Sequence, residues 1–596
     1  MSYRRNYSSR SDDNSIREEI KELDLEMISP STDTYMNPDK GGSKIVVIGK
    51  PGCFALGTEI LMYDGTIKMV ENVLSGDQVM GWDSKPRNVQ ELCRNVEEMY
   101  RITPIKGDPV VVNKNHILTL KCTGHNEQLK GEIIDITVSD FLSKSPEFQR
   151  RYKWFRTGVE FTEKMVKFDP YVIGLWLGDG TFATTEITTV DPGIVEYLHR
   201  YFGEQGYEIT KKGAKNGFLN FLRDSNLLKN KHIPHEYKTG SRVQRLSLLA
   251  GLLDSDGWYD KKSNVFEITQ KRENLLDDVI FVARSLGFSA YKTECEKVYT
   301  NSPGGPKVGT YYRCHISGNG IEEIPTKLGR KQATEKKQID DNLVTGFCLT
   351  SVGQGQYYGF TTDADHRFLL GDFSVVHNTG KTTLIASLLY SKKHIIPIGQ
   401  VFSGTEDSNG FYRKMFPSTF VYNKYDEDAI KKFVARQKIA KQHLENPWSV
   451  LLIDDCTDEP ALFRKPLQQG LYKRGRHWKM LYILSLQYCM DVRPVIRTNV
   501  DGCFILREPN LKNRRALYEN YAGVIPDFKM FCDIMDGITN DYTALYIHNA
   551  DQVNNWRDCV FWYKARPVPD GFKFGCADFW GFHFDRYNVD YVDPLF

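Results

Sequence analysis

The sequence predicts a multidomain chain in which one α/β domain is split by a large insert, itself an all-β module wrapped around an α+β module. Three observations predict this. The 596 residues exceed what a single core serves, and the length suggests three or four domains. Gly49-Lys50-Pro51-Gly52 and Thr379-Gly380-Lys381-Thr382 lie more than three hundred residues apart, yet joined they read GKPGTGKT. That string fits the phosphate-cradling pattern G-x-x-x-x-G-K-[ST] with nothing missing or left over. The intervening segment also changes texture twice, from short β runs to helical periodicity and back.

Taken in order, residues 1–43 are polar, charged and Ser-rich, which predicts a flexible arm with one short helix around Ile16 to Met27. Val46-Val47-Ile48 is a β-branched run that reads as a buried strand leading into the first half-loop. The host domain is residues 44–52 plus 379–596, joining with the arm to 270 residues around a 326-residue insert, 53–378. From Cys53 to about Leu142, short β runs alternate with Gly, Asp and Asn turns, as in Thr58 to Met62, Asp64-Gly65, then Thr66 to Val70. β runs return from Asn342 to Val376, so the all-β module is 53–150 plus 340–378, with the α+β domain nested at 165–336. After Thr379 a helix is expected to about Tyr390, followed by strands and helices of an α/β domain.

Composition excludes several classes. Twelve cysteines occur without a C-x-x-C pair, and neither a signal peptide nor a run of eighteen apolar residues is present. The expectation is a soluble intracellular protein with reduced thiols, not a disulfide scaffold, a zinc protein or a membrane protein. The net charge of +2 says nothing about nucleic acid and conceals the basic run Lys473-Arg474-Gly475-Arg476-His477-Trp478-Lys479.

The ends of the insert carry the chemistry of self-excision. Gly52 offers an unhindered carbonyl, and Cys53 supplies the strongest nucleophile among ordinary side chains. An N-to-S acyl shift there needs a polarised amide and a proton for its nitrogen, for which His116 is the candidate. At the far end Thr379 can attack the thioester, Asn378 can cyclise to a succinimide and cut the chain behind itself, and His377 and His366 can assist. No cofactor is needed. The segments Cys53-Phe54-Ala55-Leu56-Gly57-Thr58, Val112 to Leu118, and Tyr357 through Asp365-His366 to His377-Asn378 resemble the splicing blocks of inteins of the yeast vacuolar-ATPase type. That resemblance implies a Hint splicing module. Asn113 stands where most inteins carry Thr, and its amide can still polarise the scissile peptide.

Two segments inside the insert echo one another: Tyr171-Val172-Ile173-Gly174-Leu175-Trp176-Leu177-Gly178-Asp179-Gly180 and Leu248-Leu249-Ala250-Gly251-Leu252-Leu253-Asp254-Ser255-Asp256-Gly257. Small residues four apart lie on one helix face, where two backbones can approach closely. Asp179 and Asp256 would then sit side by side, and adjacent carboxylates repel unless a divalent metal neutralises them. Metal between carboxylates suits phosphodiester hydrolysis. The segments resemble the two motifs of a monomeric LAGLIDADG homing endonuclease, whose paired sheets straddle the DNA major groove. The resemblance implies Mg²⁺-dependent double-strand cleavage at a long asymmetric site in an allele lacking the insert, with Lys231 and Lys331 as auxiliary lysines.

Once rejoined, the host's P-loop from Gly49 and Gly52 to Gly380 would present backbone N–H groups to the phosphates of ATP, with Lys381 on the β/γ oxygens and Thr382 on Mg²⁺. The strand Ser449 to Ile453 ends in Asp454 and Asp455, read as the Mg²⁺ ligand and the carboxylate that activates water. A third strand, Met480 to Leu486, ends in Gln487, placed to sense the γ-phosphate or orient the attacking water; Arg493, Arg497 and Arg507 are candidate fingers for a neighbouring protomer, although each taken singly reads first as a plain surface ion pair. These spacings, with Phe402-Ser403-Gly404-Thr405, resemble the genome-packaging ATPases of nucleocytoplasmic large DNA viruses in the FtsK/HerA superfamily. The resemblance implies a P-loop NTPase fold, a homo-oligomeric ring, viral double-stranded DNA as partner, and a place in the viral factory of the host cytoplasm or in the virion. The basic run Lys473 to Lys479 fits a DNA-facing loop in such a ring and equally a solvated turn. Rival readings are a helicase-like or kinase P-loop protein as host, and an insert dead in both splicing and cleavage.

Overall fold

The computed structural model describes residues 19–49, 52–124, 130–204, 217–299, 307–335, 341–363, 366–377, 381–404, 406, 410–454, 456, 463, 465–508, 511–539, 543–549, 555–566, 568–569 and 571–587. The multidomain architecture expected from the sequence is present. The host is built on an eight-stranded sheet in the spatial order Val421–Tyr422, Ile398–Ser403, Ser449–Asp454, Met480–Leu486, Lys44–Ile48, Gly502–Ile505, Thr543–His548, Val560–Lys564. The first six are parallel and the last two antiparallel to their neighbours. Lys44–Ile48, five fully buried residues, lies between two strands contributed from beyond the insert. Both flanks are therefore one folded sheet although 326 residues separate them in sequence. Burying both faces of a parallel sheet demands continuous apolar runs, and Val450 to Ile453 and Leu481 to Leu486 supply them, apart from the buried hydroxyls of Tyr482 and Ser485.

Residues 19–43 depart from the flexible arm that composition predicts. Ile20, Leu23 and Ile28 are buried in the host cores, and the Leu23 N–H donates to the Trp562 carbonyl at 2.8 Å. Trp448 Nε1 donates to the Tyr35 carbonyl, and Lys479 Nζ to those of Asn37 and Lys40. A few apolar residues spaced among polar ones suffice to dock a segment on an existing core, and average composition hides them. Of the helix expected around Ile16 to Met27, the described part holds a short 3-10 turn, Leu25–Met27; residues 1–18 lie outside the described residues.

The β module closes across the nested domain. Phe347–Thr362 pairs antiparallel with Pro86–Pro104, and Val375–His377 lies beside Ile117–Cys122, so strands from both ends of the insert interleave. Within the α+β domain the helices Pro170–Asp179 and Arg242–Asp256 pack on each other. A Cβ on Gly174 would sit 2.2 Å from the Leu248 carbonyl oxygen, and one on Gly251 2.1 Å from that of Tyr171. Backbone touches backbone, so neither neighbour can rotate away. Gly251→Val is accordingly expected to cost on the order of 3 kcal/mol, and chemical denaturation followed at the insert's own transition measures it.

Of the paired sheets expected, the described residues hold the second. After Arg242–Asp256 comes a four-stranded antiparallel sheet, Gly257–Asp260, Val265–Gln270, Lys307–Ser317 and Ser289–Tyr299. After Pro170–Asp179 the described residues form only a tight turn closed by one bridge between Gly180 and Ile187. Twelve residues separate that helix from Pro192–Glu204, too few for two long strands and a turn.

Candidate active sites

Both termini of the insert meet at the start of the strand Ile117–Cys122. The Cys53 N–H, the amide of the Gly52–Cys53 bond, donates to Asn113 Oδ1 at 2.9 Å, and the Asn113 N–H donates back to the Cys53 carbonyl at 3.1 Å. Asn113 Nδ2 donates to Glu97 Oε2 at 2.7 Å, which fixes the amide with its oxygen toward Cys53. A Cβ on Gly52 would lie 3.3 Å from the His116 Cα and 3.6 Å from its Nδ1. Glycine thus lets the upstream chain run against the imidazole. From the other end His377 pairs with Ile117 across the sheet and with Arg367 on its other side. His366 is buried next to Arg367 in a left-handed backbone conformation, φ 54°. Asn378 and Thr379 lie outside the described residues.

His116 is fully buried against the edge of Phe54, and among the described residues neither ring nitrogen has a hydrogen-bond partner. Burial pushes it down to about 3. His377 is likewise driven to about 3 by burial, against the opposing pull of Asp135, which Arg367 and Thr119 also engage. Both rings are neutral at pH 7. The unfolded chain takes up these protons below about 6.5 while the folded one refuses them until about 3. The module is therefore expected to lose stability as pH falls through that window, by about 1.4 kcal/mol per histidine one unit below 6.5. Unfolding at pH 7 and 5.5 measures this, and His116→Gln should flatten the dependence.

Sequence reading missed Cys93, whose Sγ lies 3.0 Å from that of Cys53, and Glu97; they come from a long strand whose register is invisible in the sequence.

In the second site each helix of the pair ends in an aspartate. Burial and then the charge of Asp256 push Asp179 up to about 6, the signature of two carboxylates sharing one site. Lys231 Nζ donates to the carbonyls of Leu177, Gly178 and Gly180 at 2.9, 3.0 and 2.7 Å. Lys331 Nζ donates to those of Leu253, Asp254 and Ser255 at 2.8, 2.8 and 3.4 Å. One buried lysine therefore caps the carboxyl end of each helix, complementing its dipole. Burial lowers Lys231 to about 8 and Lys331 in the same direction. Gln270 Nε2 donates to Asp256 Oδ2 at 2.6 Å, a contact made by the sheet that follows the second helix.

The third site lies at the carboxyl edge of the host's parallel strands, where open α/β sheets bind ligands. Lys381 and Thr382 are buried at the start of the helix Lys381–Ser391. A Cβ on Gly49 would stand 3.1 Å from the Lys381 Cγ, so the two half-loops are already adjacent around the insert. Asp454 is buried and pairs in register with Ser403; it accepts from the Tyr412 hydroxyl at 2.7 Å. Glu406, raised mainly by burial, accepts the N–H groups of Tyr412 and Arg413 and so holds that tyrosine. Sequence reading passed over Tyr412 and Glu406, which follow no motif. Gln487 continues the strand Met480–Leu486 and is half-buried. Gly380 and Asp455 lie outside the described residues. Among the candidate fingers Arg497 is buried, Arg507 half-buried and Arg493 exposed. The basic run is no loop: Lys473 and Arg474 close the helix Pro466–Arg474, Arg476 pairs with Asp501, and Lys479 is buried. It adjoins the amino end of Met480–Leu486, at the sheet edge opposite Asp454.

Residues 53–150 match the family described as Hom_end-associated Hint, and residues 232–344 the family described as Homing endonuclease. With the split parallel sheet, these matches define the class: a P-loop-type α/β host interrupted by an intein with Hint and homing-endonuclease domains. The chain belongs to the family of uncharacterized protein 088R of Invertebrate iridescent virus 3, 55% identical over 207 residues, 34% of this chain and 79% of that protein. Uncharacterized protein 075L of Invertebrate iridescent virus 6 is 53% identical over 216 residues, 36% of this chain and 84% of that protein. The homothallic switching endonuclease of Saccharomyces cerevisiae is 26% identical over 383 residues, 50% of this chain and 61% of that protein. Among the described residues, no helix is long and apolar enough to cross a membrane.

Proposed function

We propose that the chain is a self-splicing precursor that excises residues 53–378 and joins Gly52 to Thr379. The observation that carries this is the convergence of both insert ends on His116, with the scissile N–H held by Asn113 Oδ1. Neutral His116 takes the Cys53 thiol proton as the sulfur attacks the Gly52 carbonyl carbon. It then delivers that proton to the Cys53 nitrogen as the C–N bond breaks, leaving a thioester. The Thr379 hydroxyl attacks the thioester carbon and displaces the Cys53 sulfur, which takes up the hydroxyl proton and leaves as the thiol, moving the upstream chain onto Thr379. The Asn378 side-chain nitrogen attacks its own carbonyl carbon, forming a succinimide and freeing the Thr379 amine, with His377 and His366 assisting. That amine displaces the ester oxygen to give the peptide bond. Asn378→Ala is expected to stop at the thioester, so added thiol should release the upstream flank at Gly52. Persistence of ligated product in that variant would contradict the scheme.

The excised insert is proposed to be a LAGLIDADG-type, double-strand DNA homing endonuclease. Asp179 and Asp256 form an acidic pair fitted to Mg²⁺, which when bound supplies charge neutralisation at the phosphate and a more acidic water. Lys231 and Lys331 fix the helix ends that carry these carboxylates.

The spliced host is proposed to hydrolyse ATP and drive viral DNA packaging as a homo-oligomeric ring, acting in the viral factory or the virion. Lys381 and the loop N–H groups would hold the phosphates, and Thr382 and Asp454 the Mg²⁺ that shields them. Asp455 would orient and deprotonate water, and Gln487 sense the γ-phosphate. Buried Lys381 beside Gly49, at the carboxyl edge of the sheet, supports the nucleotide site; the iridescent-virus relatives support the viral setting. ATP turnover should appear only after ligation, because the N–H cradle needs Gly49 to Thr382 contiguous. Comparing phosphate release by spliced protein, its Lys381→Ala variant and unspliced Cys53→Ala precursor tests this; equal turnover by the precursor would contradict it.

A further inference from the structure

The two repeats of the nuclease domain are equal at the carboxylates and unequal at the surface that meets DNA. Each contributes an aspartate and a lysine-capped helix end. Among the described residues only the second carries a reading sheet, whose longest strands, Ser289–Tyr299 and Lys307–Ser317, have 11 residues each. At ~3.4 Å per residue such a strand runs about 37 Å, the length of about eleven base pairs. Its outward face presents Trp258, Thr269, Arg313 and His315, the last two engaged by Glu267 on the same face, while Phe266, Ile268, Cys314 and Ile316 point to the core.

The first repeat is shorter where the second builds its longest strands. Between Pro192–Glu204 and Gly217–Asp224 there are twelve residues, 205–216, against thirty-five, 286–320, between Glu273–Ser285 and Ile321–Glu323 in the second repeat. The upstream hairpin of the first repeat is reduced as well, to the single bridge between Gly180 and Ile187.

We infer that this endonuclease reads its target from one side: the second repeat's sheet specifies the bases of one half-site, while the first repeat supplies a carboxylate and lysine but little sequence discrimination. The inference rests on the homing-endonuclease reading and deepens it, since it predicts which part of the DNA matters. Base-edge contacts specify and phosphate contacts merely position. A half without a long sheet in the groove therefore retains backbone affinity and loses selectivity.

The test uses the full chain as purified, spliced or not. The probe is a forty-base-pair duplex of the gene's own coding sequence across the Gly52 and Thr379 codons, with the intervening codons removed. Binding is read with Ca²⁺ in place of Mg²⁺. In two further duplexes the base pairs on one side or the other of the junction are randomised. Each mismatch in a read half-site costs about 1–3 kcal/mol, so randomising one side is expected to weaken binding at least ~100-fold and the other less than ~3-fold. Equal losses from the two sides would overturn one-sided reading and leave the endonuclease assignment standing. Folded protein that prefers the intact duplex to neither variant nor random DNA would overturn the endonuclease assignment, and this inference with it.

Discussion

Replacing Cys53 with alanine is expected to abolish ligation altogether, leaving no detectable joined 270-residue product. A methyl group has no electron pair to attack the Gly52 carbonyl. Cys93, at 3.0 Å from the Cys53 sulfur, is the nearest thiol, but its strand lies across the Cys53 side chain and not on the Gly52 amide. The proton relay fails as well, since neutral His116 then has no thiol proton to take. Cleavage behind Asn378 does not pass through the thioester and should persist, so the variant yields a fragment ending at Asn378 and one beginning at Thr379. Mass analysis distinguishes these pieces from spliced product without ambiguity.

The second large effect is expected at the nuclease carboxylates. Asp256→Asn and Asp179→Asn should each lower double-strand cleavage by roughly three orders of magnitude, about 4 kcal/mol in barrier, while binding through the second sheet survives. The amide keeps the size of the side chain and, at Asp256, the hydrogen bond from Gln270, but removes the charge that would bind a cation. Burial, first, and then the charge of Asp256 raise Asp179 to about 6; Asp256→Asn removes the second of these, so Asp179 should titrate lower. Plasmid digestion measures the first effect, and carboxyl chemical shifts as a function of pH measure the second. Unchanged cleavage in either variant would remove that carboxylate from the chemistry.

Much of this architecture was legible because covalent chemistry and hydrogen bonding restrict which residues can stand at the ends of each element. A phosphate loop split in register, with Cys at one seam and His-Asn at the other, leaves few arrangements. Backbone contact between Gly174 and Gly251 was readable from their spacing, since only small residues let helices approach so far. Long-range placement was not readable. Tyr412 reaches Asp454 from a short helix, Phe411–Met415, outside any motif and is held by Glu406, and Gln270 reaches Asp256 through a strand whose register the sequence does not announce. Residues 19–43 were misjudged because three buried side chains decide their fate and average polarity does not report them. The inequality of the two repeats is a shortage of residues in the first, countable in advance only once the helices on either side are placed.

Intact-mass measurement of the recombinant full-length chain tests the central claim most directly. Self-splicing predicts two species, a 270-residue protein with Gly52 joined to Thr379 and a 326-residue insert lacking one water at its Asn378 succinimide or restored by hydrolysis. A single species at the mass of the uncut 596 residues, from folded protein incubated with reductant, would contradict it.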